Sequence, residues 1–361
     1  MAKATLDRMP ELHDLSCVVH VHSTHSDGTG TVPEIARAAE RAGADVVLLT
    51  DHDTVAARRG GEEGMHSSVL VLVGHEISPR NRNHMLALDT PGRIRHRDRS
   101  PAQIAQAVRD AGGLGIAAHP FSEGNRRFRR VRSLGVSMRW EDLECLDGLE
   151  VWSFLSDNGQ NVAGLRDAVR FVATPERYVT HPPRHNLAEW DRLGARRRVV
   201  GVGGLDAHQF GKRIRGRVIR VMGYARSFGQ LRTHVLTDGP LTGDLVDDSR
   251  QVYAALREGR CYIAAHAFAP ARGFSFAATR EGAELPMGAE AAFGAGPWDL
   301  RASVPRPALL RLLRDGREVL RAAGRSLEAR AEGPGVYRVE AHLDALGAER
   351  TWILSNPIYL R

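Results

Sequence analysis

Short apolar runs alternate with amphipathic segments along the first two-thirds of the chain. Five of the runs are rich in Val, Ile and Leu and have the length of a buried parallel strand. These five runs cover residues 16–22, 44–53, 69–76, 113–120 and 198–208. Helical patterns lie between them, at residues 31–43 and 100–113. The alternation of strands and helices predicts an α/β fold with a parallel sheet.

Both predicted helices begin with recognisable start signals. Thr31 and Glu34 have the spacing of a capping box, and the helix pattern ends at Gly43. Ser100 and Gln103 repeat that spacing, with a proline between them in the first turn. These signals define where each helix starts.

The pattern changes after residues 266–273, where short apolar runs separated by turn residues replace the helical periodicity. Asp315-Gly316 lies between two such runs and predicts a two-residue hairpin turn. Several strands at this spacing predict a small all-β sandwich over residues 269–361, behind a larger domain over residues 1–268. The run ALLRLL at 308–313 also fits a helix by periodicity, so both interpretations stay open there.

The length of 361 residues suits one large and one smaller domain, at ~100–200 residues per domain. The net charge of +7 suggests an anionic partner, either a phosphate compound or nucleic acid. Nearly all of the positive charge is arginine spread along the chain, with lysine at Lys3 and Lys212 alone. This distribution favours an arginine-lined phosphate site over a nucleic-acid-binding tail.

Cellular location is indicated by what the sequence lacks. The cysteines are few, odd in number and far apart, at Cys17, Cys145 and Cys261, which argues against a disulfide framework. No apolar run approaches the ~18 residues of a transmembrane helix, and residues 1–15 lack the apolar core of a signal peptide. We therefore expect a cytoplasmic protein with no membrane partner.

All five predicted strands end in histidine, aspartate or glutamate, and ten of the sixteen histidines lie within the first 119 residues. In α/β folds, functional sites form at the carboxyl ends of the strands. His20 and His22 lie two residues apart, which places both rings on one side of a strand, ~6.6 Å apart along it. Rings at that spacing can bind one metal ion, and the Ser26-Asp27-Gly28 turn can direct a carboxylate to the same place.

The other strand ends add further candidate ligands. Asp51, His52 and Asp53 directly follow a buried apolar run, where an uncompensated charge would be costly; His52 could instead be a hydrogen-bonded core histidine. Glu76 can bridge two metal ions with its two oxygens, or form a strand-end salt bridge to a nearby arginine. The remaining candidates are His84, His119, Asp206 and His208.

The order and spacing of these motifs resemble the PHP family, named for the domain shared by bacterial DNA polymerases and histidinol phosphatases. The matching segments are 20–30, 48–54, 74–78, 83–89, 117–121, 147–153 and 201–208. The resemblance covers roughly residues 15–265 and implies a distorted (β/α)7 barrel with up to three metal ions at its mouth. The predicted sandwich resembles the immunoglobulin-like domain found behind some PHP domains.

The resemblance also implies a ligand set of nine residues around two to three divalent ions (Zn, Mn or Fe). His20 and His22 would share one ion with Asp206 and the bridging Glu76. Glu76, His84 and His119 would bind a second ion, and Asp27, His52 and His208 would bind a third. His84 is the least secure of the nine, because the preceding segment PRNRN lies where the family varies freely.

Such a site favours hydrolysis of a phosphate ester, because clustered divalent ions lower the pKa of water from ~15.7 toward ~7 and neutralise phosphoryl charge. Asp51 and His208 are the candidates for protonating the leaving group. Arg126 and Arg127, in an arginine-rich segment, could bind a second phosphate, although an exposed insertion fits equally well. The expected substrate is a small phosphorylated metabolite or a nucleotide.

Three alternatives stay open. An amidohydrolase-like barrel also uses an HxH pair, although the SDG, TDHD and DxH motifs favour the PHP family. An exonuclease that trims RNA or DNA ends would need a basic track leading to the metals. A metal-holding regulatory module is the third alternative, and the complete ligand set argues against it.

Overall fold

A computed structural model describes residues 12–79, 82–125, 140, 142–209, 211–214, 217–220, 222–294 and 296–361. The strands are β1 His13–Val21, β2 Val46–Leu49, β3 Gly64–His66, β4 Val69–Val73, β5 His75–Ile77, β6 Met85–Leu88, β7 Leu114–Ala117, β8 Gly148–Ser153, β9 Val200–Gly204, β10 Gly211–Ile214, β11 Arg217–Arg220, β12 Arg232–Thr237, β13 Cys261–Ala264, β14 Ser275–Arg280, β15 Ala283–Pro286, β16 Glu290–Ala291, β17 Trp298–Arg314, β18 Arg317–Ala331, β19 Gly335–Ala345, β20 Ala348–Ser355 and β21 Ile358–Leu360.

The α-helices are α1 Val32–Arg41, α2 Ala56–Arg59, α3 Pro101–Asp110, α4 Phe154–Gly159, α5 Leu165–Ala173, α6 Arg184–Gly194, α7 Tyr224–Phe228 and α8 Leu245–Glu258, with a 3-10 turn at Pro175–Arg177. Helices α1 and α3 confirm the two sequence predictions. The Thr31 N–H donates to the Glu34 carboxylate at 3.0 Å. The Ser100 N–H donates to the Gln103 side chain at 2.8 Å, and the Gln103 N–H donates to the Ser100 hydroxyl at 3.3 Å. Both helices therefore begin at the predicted capping boxes.

The fold is a mixed α/β structure in which the described strands form one large sheet, one five-stranded sheet and a small two-stranded sheet. In the large sheet, β1, β2 and β4 are parallel, as the sequence predicted. The five-stranded sheet runs β5-β6-β7-β8-β9, and here β6 is antiparallel to both neighbours. The prediction of a parallel sheet was therefore right for the first strands and incomplete for the second sheet.

The chain passes from one sheet to the other at Gly74, between β4 and β5. A Cβ at this position would lie 2.7 Å from the Ala87 carbonyl oxygen, so the close approach of the two backbones requires glycine. At the other side, the Leu205 N–H donates to the Val19 carbonyl at 2.9 Å, and the His22 N–H donates to the Ala207 carbonyl at 3.0 Å. The ends of β1 and β9 consequently lie side by side.

The strands after residue 274 pack in a hydrophobic core that includes Trp298 and Trp352 and also takes in Leu236 of β12 and Tyr262 of β13. Asp315 and Gly316 have φ angles of +52° and +75°, so the predicted hairpin turn between β17 and β18 is confirmed. Residues 308–313 form strand rather than helix. Leu310 and Leu312 are buried at alternate positions, because β17 pairs with both β18 and β19 there.

These later strands are continuous with the large sheet. Ile263 of β13 pairs with Leu354 of β20. The Asn356 side chain accepts from the Gly201 N–H at 2.8 Å and donates to the Cys261 carbonyl at 2.9 Å. Residues from the carboxyl-terminal part thus satisfy backbone groups of β9 and β13.

All three cysteines are free. Among the helices of the described part, none combines the length and apolarity needed to cross a membrane.

Candidate metal centre

The nine residues predicted as metal ligands come together at one edge of the two sheets. His20, His22 and Asp27 lie at or after the end of β1. Five others follow β2, β7 or β9 or lie on β5: His52, Glu76, His119, Asp206 and His208. His84 directly precedes β6, and because β6 is antiparallel to its neighbours, its start lies beside their carboxyl ends. We refer to these side chains as the nine-residue cluster: His20, His22, Asp27, His52, Glu76, His84, His119, Asp206 and His208.

Three members of the cluster have left-handed backbone conformations: φ is +66° at His20, +29° at His119 and +51° at Asp206. Such conformations cost ~1–3 kcal/mol at residues other than glycine and concentrate at functional sites. At His20 the conformation coincides with a register shift between Val19 and Val21. The rings of His20 and His22 therefore do not have simple strand spacing; their centroids lie 5.1 Å apart with planes at 56°.

Four atoms of the cluster lie close together in a ring of contacts. His20 Nε2 lies 3.5 Å from Glu76 Oε2 and 3.5 Å from Asp206 Oδ1. His22 Nε2 lies 3.6 Å from Glu76 Oε2 and 3.4 Å from Asp206 Oδ1. Ligand atoms ~2.1 Å from a tetrahedral metal ion lie ~3.4 Å from one another. Each of the four histidine–carboxylate separations is close to that value.

Several of these atoms are buried and have no hydrogen-bond partner among the described residues. They include Nε2 of His20 and Nε2 of His22, whereas Glu76 Oε2 lies 2.8 Å from His52 Nδ1. An unsatisfied buried polar atom costs ~1–3 kcal/mol, more when it carries charge. Imidazole nitrogens and carboxylate oxygens are ligands of divalent metal ions, so this donor set fits such an ion.

A second group forms around the other oxygen of Glu76. His119 Nε2 lies 3.3 Å from Glu76 Oε1, and His84 Nδ1 lies 2.8 Å from the same oxygen. His20, Glu76 and His119 each offer an atom within 4.8 Å of the others, which is close enough to share an ion. His84 is outside that triad and contacts it through Glu76. The two oxygens of Glu76 thus face two different groups of histidines.

A third group lies at the more open side of the cluster. His208 Nε2 lies 3.1 Å from Asp27 Oδ1, and His52 Nε2 lies 3.6 Å from the same oxygen. Together with His22, these residues offer four atoms within 4.8 Å of one another. Asp27 is exposed and His52 is half-buried, whereas His22 and His208 are buried. This group therefore faces solvent on one side.

The charges of the cluster are strongly coupled. Burial alone would raise the pKa of Glu76, but the imidazoles of His52, His84 and His20 hold it well below its usual range. Burial, assisted by His208 and His52, lowers the pKa of His22 to about 3, which leaves a neutral ring that can donate its lone pair. Burial opposes protonation of His52 as well, yet the adjacent Glu76 raises its pKa to about 9.

The other predicted site residues have different surroundings. Asp51 accepts hydrogen bonds from the Ser23 N–H at 2.7 Å, the Ser23 hydroxyl at 2.6 Å and the Ser26 hydroxyl at 2.5 Å. It fixes the loop that carries Asp27. Arg126 and Arg127 lie outside the described residues.

Two residues beside the cluster carried no functional prediction. Glu150 is buried in β8 and contacts His20 and His119. The Tyr224 hydroxyl lies 2.7 Å from the His22 carbonyl oxygen and 3.1 Å from that of His208. Glu150 had one available signal, a charged residue inside the apolar run GLEVW, whereas nothing in the local sequence distinguished Tyr224.

Comparisons with known proteins give distant similarities. No family model matches the chain. An uncharacterised protein of Methanocaldococcus jannaschii is 29% identical over 160 residues, which cover 39% of this chain and 83% of that protein.

The similarities to solved structures are distant as well. A two-domain protein from Bacteroides vulgatus, described as containing a predicted PHP-like metal-dependent phosphoesterase, is 14% identical with a TM-score of 0.47, and 98% of each chain is covered. An amidohydrolase from Chromobacterium violaceum, solved with sulfate and no metal, is 17% identical with a TM-score of 0.28, covering 53% of this chain and 87% of that one.

Proposed function

We propose that this chain is a metal-dependent phosphoesterase of the PHP type. The observation that carries the proposal is the four-atom arrangement of His20, His22, Glu76 and Asp206, with separations of 3.4–3.6 Å and unsatisfied buried atoms. Protein-only hydrogen bonding does not account for such atoms, whereas a divalent ion at their centre would satisfy all of them.

The remaining ligand assignments follow the three groups of the nine-residue cluster. Glu76 bridges the four-atom site and a second site with His119 and His84. A third site comprises Asp27, His52 and His208. Divalent ions bound there, whether Zn, Mn or Fe, supply a water of lowered pKa and neutralise charge on phosphoryl oxygens.

The chain's own residues complete the chemistry. Asp51 already accepts three hydrogen bonds from residues 23–26. This leaves His208 as the candidate for protonating the leaving group, in the state in which its Nε2 carries a proton instead of binding the third ion. The third group is open to solvent, so a substrate would enter beside Asp27. Arg126 and Arg127 stay candidates for binding its distal part, and the substrate we propose is a small phosphorylated metabolite or a nucleotide.

We further propose that the two sheets of the first part together form the distorted (β/α)7 barrel of residues 1–268. Its support is the pair of links between the sheets, through Gly74 and through the bridge between Val21 and Ala207. The strands of residues 269–361 would then be the sandwich domain, supported by a hydrophobic core made mostly of their own residues. Asn356 would make the two domains interdependent.

The test is a hydrolysis assay with metal-reconstituted protein. An aryl phosphate, nucleoside monophosphates, short RNA and short DNA are offered to wild type, His22→Ala and Asp206→Asn. A matched control is His25→Ala, since His25 lies beside the motif and contacts Glu62 at 2.5 Å instead of the cluster. We expect hydrolysis by wild type and the control alone. Equal hydrolysis in all four proteins would contradict the metal mechanism, and hydrolysis of amides but not phosphoesters would favour an amidohydrolase.

A further inference from the structure

We propose that Glu150 is a positioning residue that orients His20 and His119 for metal binding; this inference rests on the proposed function. Glu150 lies in β8 and is fully buried. Its Oε1 lies 3.1 Å from His20 Nδ1, and its Oε2 accepts the His119 N–H at 2.6 Å. One carboxylate thus contacts two candidate ligands on two different strands.

The contact with His20 determines which ring nitrogen can bind a metal. A neutral imidazole carries its proton on one nitrogen and a lone pair on the other. When Nδ1–H donates to Glu150, the lone pair is on Nε2, which is the atom 3.5 Å from Glu76 Oε2 and from Asp206 Oδ1. A carboxylate on the non-ligating nitrogen is the usual partner of a metal-binding histidine, and it also raises the basicity of the ring.

The contact with His119 is made to its backbone N–H and not to its ring. His20 and His119 both have positive φ angles, +66° and +29°, which persist only when surrounding contacts hold them. Glu150 holds His119 through its backbone N–H and His20 through its ring. It therefore couples the geometry of the four-atom site to that of the second site.

The neighbouring strand leaves space for this carboxylate. Gly204 lies at the end of β9, and a Cβ there would be 1.7 Å from Glu150 Oε1. Because the clashing atom is the end of a side chain, Gly204→Ala is expected to displace the Glu150 carboxylate. This substitution offers a second way to break the contact without altering Glu150 itself.

The experiment is calorimetric titration of Zn²⁺ and spectroscopic titration of Co²⁺ into metal-free full-length protein. Glu150→Gln and Gly204→Ala are compared with wild type. We expect both variants to bind ~10–100-fold more weakly at the sites that use His20 and His119. The visible absorption bands of bound Co²⁺ should also change, because they report ligand geometry.

The matched control is Asp147→Asn. Asp147 precedes the same strand and its carboxylate likewise accepts a backbone N–H, that of Gly115 at 2.9 Å, but at the start of β7 and away from the cluster. This variant should keep wild-type metal affinity and the wild-type Co²⁺ spectrum, even if its urea midpoint falls.

Unchanged affinity and spectrum in Glu150→Gln would overturn the positioning role while leaving the proposed function intact. Equally weakened metal binding in Asp147→Asn would also overturn the positioning role, because the loss of affinity would then reflect lower stability of the fold. Absence of metal binding by wild type would instead refute the proposed function itself.

Discussion

Two groups of histidines and carboxylates lie at opposite ends of β1. The nine-residue cluster lies at its carboxyl end. The second group, the Asp14 cluster, comprises Asp14, His234, Tyr262 and His266 near the amino end. In the Asp14 cluster, His234 Nδ1 contacts Asp14 Oδ1 at 2.5 Å and His234 Nε2 contacts His266 Nε2 at 2.8 Å. Residue types alone would not separate the two groups.

The difference lies in how the polar atoms are satisfied. In the Asp14 cluster, the Tyr262 hydroxyl donates to Asp14 Oδ2 at 2.6 Å, and both ring nitrogens of His234 have protein partners. In the nine-residue cluster, Nε2 of His20 and of His22 have no hydrogen-bond partner within the described ranges. Unsatisfied ring nitrogens that face carboxylates therefore separate the nine-residue cluster from the Asp14 cluster.

The charged groups around the two clusters also differ. Burial, with the nearby positive charge of Arg232, lowers the pKa of His266 to about 2. The Arg272 guanidinium lies beside Asp14 and donates to its carbonyl oxygen at 2.8 Å. Cationic neighbours oppose binding of a further cation, whereas Glu76 and Asp206 favour it in the nine-residue cluster.

The largest effect is expected from replacing a ligand of the four-atom site. His22→Ala should lower the rate of aryl phosphate hydrolysis by at least ~10³-fold, because a lost metal ion removes several kcal/mol of transition-state stabilisation. His234→Ala is the corresponding change in the Asp14 cluster. Initial rates at saturating metal check this, and a similar loss of activity in both variants would erase the distinction between the clusters.

The next effect concerns stability. Asp14→Ala removes the partner of His234, Tyr262 and the Gly273 N–H, and should lower the free energy of unfolding by about 3 kcal/mol. Urea denaturation measures the change. Metal content, measured by plasma mass spectrometry, should remain at the wild-type value. Loss of metal in this variant would show that the clusters are not independent.

Chelation should have a slightly smaller effect on stability. Ions at ~100-fold above their dissociation constant stabilise the folded state by about 2.7 kcal/mol. Removing one such ion with EDTA should therefore lower Tm by ~4 °C. His234→Gln should show the same EDTA-dependent shift as wild type, whereas His22→Ala should show a reduced one. Differential scanning calorimetry makes the comparison, and an EDTA-independent Tm in wild type would count against a metal site.

The smallest effect, at about 1.4 kcal/mol per pH unit, is a pH dependence of the third site. The pKa of His52 is raised from 6.5 to about 9 in the metal-free protein, so its protonated form adds stability below pH 6.5 that is lost as pH rises through 9. A metal ion must displace that proton. The affinity of the third site for a metal ion should rise by about tenfold per pH unit up to pH 9. Calorimetry measures this affinity, and Asp27→Asn is the control that lacks a ligand of the site. Affinity that is flat with pH would contradict this assignment.

The nine candidate ligands were predicted from short motifs beside apolar runs, together with the family resemblance that those motifs carry. The ring spacing predicted for His20 and His22 from strand geometry was wrong, because a register shift and a positive φ angle at His20 turn its ring. Glu150 carried no functional prediction, because its role depends on residues 130 and 31 positions away in the chain. ALLRLL was ambiguous, since only pairing with β18 and β19 selects the strand. Such long-range contacts cannot be deduced from local pattern.

The most direct test of the central claim is anomalous diffraction from crystals of the Zn²⁺-reconstituted protein at the zinc absorption edge. We predict a peak ~2.0–2.2 Å from His20 Nε2, His22 Nε2, Glu76 Oε2 and Asp206 Oδ1, and no peak at the Asp14 cluster. An empty four-atom site at saturating zinc, or a peak between His234 and His266 instead, would contradict the account.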